Sequence, residues 1–105
     1  MALMVMVAIP EKEAKDMAFF LLEKKLCACV NIVKGAESFF WWKGKIDEAK
    51  ESLLFIKTKE SLFGRIREAI KGKHSYTVPE IIAFKMDESN KEYIEWLNLA
   101  CASSL

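Results

Sequence analysis

The segment Ser38–Lys45, SFFWWKGK, sets four large aromatics in a row before a glycine held between two lysines. On a helix these rings would spread around most of the circumference, whereas on a strand they alternate, two to each face. Aromatic residues favour strands. Lys43-Gly44, directly after them, has the composition of a tight reversal, because glycine tolerates the positive φ that hairpin turns need. The segment therefore predicts the end of a hairpin arm, with Phe39 and Trp41 on one face and Phe40 and Trp42 on the other. One pair can enter the core of the chain. The other would expose on the order of 300–500 Å² of apolar surface, near the upper limit for a soluble monomer. The expectation is that a neighbouring subunit covers it.

The chain that carries this hairpin has 105 residues, of which 52% are hydrophobic. That length predicts a single domain, residues 1–105, with enough buried surface to need no staples. The opening run MALMVMVAIP is apolar, but it is short, lacks a basic flank and runs straight into EKEAKD. It reads as a buried first strand, not as a signal peptide or a membrane span. Three cysteines without framework spacing predict free thiols and a cytoplasmic location. Lys and Arg number 16 against 15 acids, a net charge of +1, which gives no general attraction to nucleic acid or to a membrane.

Hydrophobic spacing divides the chain further. Leu3–Ile9 is a strand, and Pro10 opens a helix with the stripe Ala14, Met17, Ala18, Leu21, Leu22 and Leu26. Phe19 lies off that stripe. From Cys27 to Trp42 the pattern is strand-like, with a bulge or bend at Lys34-Gly35. Leu53–Lys57 is a buried strand, and Thr58 is placed to cap a second helix (stripe Leu62, Phe63, Ile66, Ala69, Ile70) that Gly72 ends. Thr77–Met86 is the last strand, with Pro79 marking an edge or a bend. Ser89 and Glu92 form a capping box for a final helix carrying Tyr93, Trp96, Leu97 and Ala100. The order predicts an α+β, ferredoxin-like split βαβ plan (β-α-β-β-α-β) with a C-terminal helix and an extended central hairpin. Two arms spanning about 30 residues exceed ordinary strands, so the protruding part is expected to pair with another subunit.

Five stretches in this order, LLEKKLCACVNI, SFFWWKGKI, LLFIKT, KHSYTVPEII and YIEWL, resemble the CutA1 family of divalent-cation tolerance proteins over nearly the whole chain. The resemblance implies a homotrimer of ferredoxin-like subunits with Phe39, Phe40, Trp41 and Trp42 at the oligomer interface, and a role in tolerance of copper and other divalent metals. The family commonly has cysteine at the position of Cys29. It usually has proline where Ser75 stands, and some members have a second histidine where Lys73 stands and a cysteine near the end of the first strand.

His74, the one histidine, is the first candidate metal ligand, since imidazole binds metals readily. Zinc needs three or four protein ligands, which one histidine per chain does not supply, and a hydrogen-bonded structural role is the competing reading. Cys27 and Cys29, two apart and on one face if both are in a strand, would suit copper(I) as soft thiolates; buried packing is the alternative. Copper or another divalent metal, weakly bound, is the expected cofactor. Lys57, Tyr76 and Glu80 are expected to converge near the His74 loop as a ligand pocket at a subunit boundary, beside another chain's hairpin. Phosphate loops, nucleophile triads and metal-hydrolase spacings do not occur, so no enzymatic turnover is expected. The leading reading is a metal-homeostasis trimer. A small-ligand signalling trimer resembling the PII proteins and a structural anchor for a partner protein remain as alternatives.

Overall fold

A computed structural model of the chain describes residues 1–102. The first strand, β1 (Ala2–Pro10), leads into helix α1 (Glu11–Glu23). Two long strands follow, β2 (Cys29–Trp42) and β3 (Lys45–Lys59). A 3-10 turn at Glu60–Leu62 enters α2 (Phe63–Lys73), and β4 (Ile81–Lys85) and α3 (Lys91–Ala100) complete the described chain. The strands form one antiparallel sheet in the order β2-β3-β1-β4. That is the α+β arrangement expected from the split βαβ pattern.

Period-two alternation gives the sheet two unlike faces. Val5, Val7 and Ile9 of β1 and Leu54 and Ile56 of β3 are buried against Ala14, Met17 and Leu21 of α1 and Ile66 and Ile70 of α2. The residues between them, on the other face, are less covered. Register pairs Met6 with Phe55 and Ile82, and Met4 with Phe84. Ile82 and Phe84 are exposed, as is Val33, which pairs with Leu53. Near one end of the sheet, Leu97 and Cys101 of the α3 region pack with Ala2 and Leu62 in a smaller cluster.

The hairpin has the predicted devices. Lys43 and Gly44 have φ of 51° and 79° between the paired residues Trp42 and Lys45, a two-residue turn with positive φ at both positions. The β2–β3 register shifts between Val33 and Ala36, and Gly35 there has φ of 80°. The rings themselves depart from expectation, because neither pair enters the core. Phe39, Phe40, Trp41 and Trp42 are all exposed, Trp41 most of all at 73%. The arm carrying them extends past the helices, so neither face has a layer to pack on.

Several boundaries also differ. Thr58 caps no helix; it stays in β3, which keeps pairing with β1 as far as Lys59, and its buried hydroxyl donates to Leu26 O at 2.6 Å. Gly72 lies inside α2, and His74, with extended backbone, ends that helix. Asn90, not Ser89, caps α3, its Oδ1 accepting the Glu92 N–H at 3.1 Å. The last strand is only Ile81–Lys85, and Pro79 lies ahead of it; the segment before it is held at Ser75 and Tyr76, which bond to side chains of α1 and β3. Leu22 is exposed, and Trp96 is exposed beside Tyr93.

Candidate functional site

The loop after α2 is tied down at three points. The Ser75 N–H and hydroxyl donate to the Glu13 carboxylate at 3.2 and 2.6 Å, which holds the loop to the first turn of α1. The His74 ring is buried, with Nε2 2.9 Å from Ala8 O and Nδ1 accepting the Tyr76 N–H at 3.1 Å. Because Nδ1 accepts, the proton of the neutral ring sits on Nε2 and is donated to Ala8. The Tyr76 hydroxyl donates to Glu51 Oε2 at 2.8 Å. Glu51 lies on β3 opposite Pro10 and Ala36 and is 5% exposed. Burial, and then the bond to the Glu51 carboxylate, push the Tyr76 phenol up to about 12, so it remains a donor through the neutral range.

This anchoring sets residues 75–80 beside the hairpin and leaves a groove of ≈ 800 Å³ between them. Phe39, Phe40, Trp42 and Tyr76 give it aromatic walls. Asp47, Glu48, Glu51 and Glu80 give it four carboxylates, and no basic side chain lines it. Cations are therefore attracted to the groove twice over, by net negative charge and by aromatic faces.

The predicted site residues divide into two groups. His74, Tyr76 and Glu80 stand at or beside the groove, and three of the four hairpin aromatics wall it within the same chain; Trp41 does not. Lys57 is elsewhere. It is six residues along β3 from Glu51, about 20 Å by strand rise. There it pairs with Cys29 and donates to Asn31 Oδ1, which the Cys29 thiol also approaches at 3.8 Å. Cys27 and Cys29 do not share a strand face, because β2 begins only at Cys29. Cys27 is buried in the core beneath the helices, and burial, followed by the nearby Cys101 and Cys29, pushes its thiol up to about 12. The sequence reading overlooked Glu13, Asp47, Glu48 and Glu51. Glu51 carried one signal, an acid heading the apolar run ESLLFI, but its partner lies 25 residues away.

A divalent metal does not fit a closed site within one chain. Both His74 nitrogens are engaged, Cys27 is a buried protonated thiol, and among the described residues no group of three or more His, Cys, Asp or Glu side chains is placed to hold an ion.

Fold and groove together define a class: an α+β subunit with a four-stranded antiparallel sheet whose central hairpin projects beyond its helices. The family model described as "CutA1 divalent ion tolerance protein" matches residues 3–100. The chain belongs to the CutA1 family of divalent ion tolerance proteins. It is 47% identical over 97 residues to "Protein CutA 1, chloroplastic" of Oryza sativa subsp. japonica, an alignment covering 91% of this chain and 55% of that protein, so the chain spans about half that relative's length. It is 44% identical over 94 residues to the "Divalent-cation tolerance protein CutA" of Thermus thermophilus, with 89% and 91% coverage. The crystal structure of CutA1 from Oryza sativa superposes with a TM-score of 0.94 at 42% identity, covering 96% of this chain and 94% of that one. The structure of the Thermus thermophilus protein gives 0.94 at 41% identity, covering 97% and 100%.

Proposed function

We propose that this chain assembles as a homotrimer in the cytoplasm and binds divalent metal ions weakly, copper among them, in metal homeostasis and without catalytic turnover. The observation that carries the reading is the charge of the hairpin groove, four carboxylates with no basic side chain in the lining. Weak binding follows from the donor set, since the described residues of one chain offer no closed coordination shell. A neighbouring chain supplies what is missing. The exposed Val33, Ile82 and Phe84 on the face away from the helices, together with the uncovered hairpin rings, support association. The class of ion, a divalent cation, is the one in the names of its relatives, which are called divalent-cation tolerance proteins.

Calorimetric titration of Cu²⁺ and Zn²⁺ into wild type and Glu51→Gln/Glu80→Gln tests the site, and native mass spectrometry tests the assembly. The expected outcome is a trimer whose metal affinity falls several-fold in the double variant. A monomer, or unchanged affinity in a folded variant, overturns the reading.

The same groove favours a second reading, in which the trimer is a small-ligand sensor. A volume of ≈ 800 Å³ and four aromatic side chains suit an organic molecule better than a bare ion. An organic ligand retained in the native mass spectrum, with no metal, would select it.

A further inference from the structure

We propose that a groove between α1 and α2 is a second binding site, for a small phosphate-bearing ligand with a flat apolar body. The groove lies in the helix layer, on the side of the sheet away from the exposed Val33, Ile82 and Phe84, so association through that open face leaves it free. Its volume of ≈ 770 Å³ is in the range of small-ligand sites. Phe20, Leu26 and Ala69 are its apolar part, and Lys24, Arg65 and Lys73 its charge.

The charges are arranged as an anion would require. The ammonium groups of Lys24 and Lys73 each lie 5.1 Å from the centroid of the Phe20 ring. They stand no more than about one Debye length, about 10 Å, apart. Their mutual repulsion is not offset by an acid: among the described residues neither they nor Arg65 takes part in an ion pair. The one acid in the lining, Glu68, is already held by Arg67 at 3.5 Å and Lys71 at 3.9 Å. Two ammonium groups and a guanidinium match the charge of a phosphate monoester better than that of a single carboxylate.

The glycines of α2 are a second, independent observation. Gly64 and Gly72 both line the groove, and glycine weakens a helix relative to alanine. Neither has positive φ, and a Cβ added at either would meet no atom within 4 Å. Backbone conformation and packing therefore do not require them. Their structural consequence is a groove wall without side chains, open to a flat ligand body.

The probe is phenyl phosphate, titrated at constant ionic strength into ¹⁵N-labelled full chain while the Gly64 and Gly72 amides are followed. Saturable shifts at both are expected, with affinity at least tenfold lower in Lys24→Gln/Lys73→Gln. Gly72→Gln, which keeps every charge and improves helix propensity, is expected to weaken binding as well, and far-UV circular dichroism checks that both variants are folded. Shifts that never saturate, or that are unchanged in both folded variants, overturn the proposal. So does benzoate binding as tightly as phenyl phosphate, which would remove the phosphate, or binding of an acidic peptide where phenyl phosphate fails, which would make the groove a protein-docking surface.

Discussion

The Tyr76 hydroxyl donates to the buried carboxylate of Glu51 at 2.8 Å, a bond that joins the loop after α2 to the root of the long hairpin. Tyr76→Phe removes the donor and leaves a buried carboxylate short of a partner, at a cost of about 1–3 kcal/mol. Chemical denaturation of the variant is expected to show that loss. Glu51→Gln, which retains an acceptor, should lose less, and equal losses would show that the bond is not what matters at Glu51.

Four groups with raised pKa values, Cys27, Tyr76, Tyr93 and Cys101, make stability fall on the alkaline side. The Cys27 thiol is raised from 9.0, and the Tyr76 phenol from 10.0, each to about 12. The folded state therefore holds protons that the unfolded chain releases first. The stabilisation is complete below pH 9 and is lost as pH rises from 9 to 12. Denaturation midpoints across that interval are expected to decline in wild type and to decline less in Cys27→Ala/Tyr76→Phe. Parallel slopes for the two proteins would contradict the assignment.

Thiol reactivity should follow burial. Cys27 and Cys101 are buried, and Cys29 is half-buried. Burial raises the pKa of Cys101 as well as that of Cys27. Timed iodoacetamide alkylation at pH 8, read by peptide mass spectrometry, is expected to modify Cys29 first. Cys27 reacting ahead of it would mean that the helix layer opens readily.

The Ser52 hydroxyl is buried without a hydrogen-bond partner among the described residues. Ser52→Ala removes an unsatisfied polar group, so the variant should be as stable as wild type or more so. A loss above about 1 kcal/mol in thermal denaturation would reveal a partner, such as a bound water.

The exposed rings of Trp41 and Trp42 predict the oligomer. Replacing both with serine should leave the core intact, since neither ring reaches it, and should weaken association. Sedimentation velocity showing an unaltered assembly, with unchanged thermal stability, would move the main interface to the open sheet face around Ile82 and Phe84.

Local sequence determined what local physics controls. The turn at Lys43-Gly44, the bulge at Gly35 and the buried alternation of β1 follow from glycine conformation and from period-two burial, which neighbouring residues suffice to specify. Where elements stop was harder to read. Thr58 and Ser89 have good capping chemistry, but Thr58 is held in β3 by pairing with β1, and Asn90 reaches the Glu92 amide one residue later. Only the tertiary structure decided the groove. Lys57 and Tyr76 both fall in the signature stretches, yet strand rise carries Lys57 to the far end of β3, and Glu51 meets Tyr76 across 25 residues of chain. The fate of the four aromatics was a tertiary matter too. Alternation assigned two rings to each face, but a face becomes core only where a second layer covers it, and here the helices end before the hairpin does.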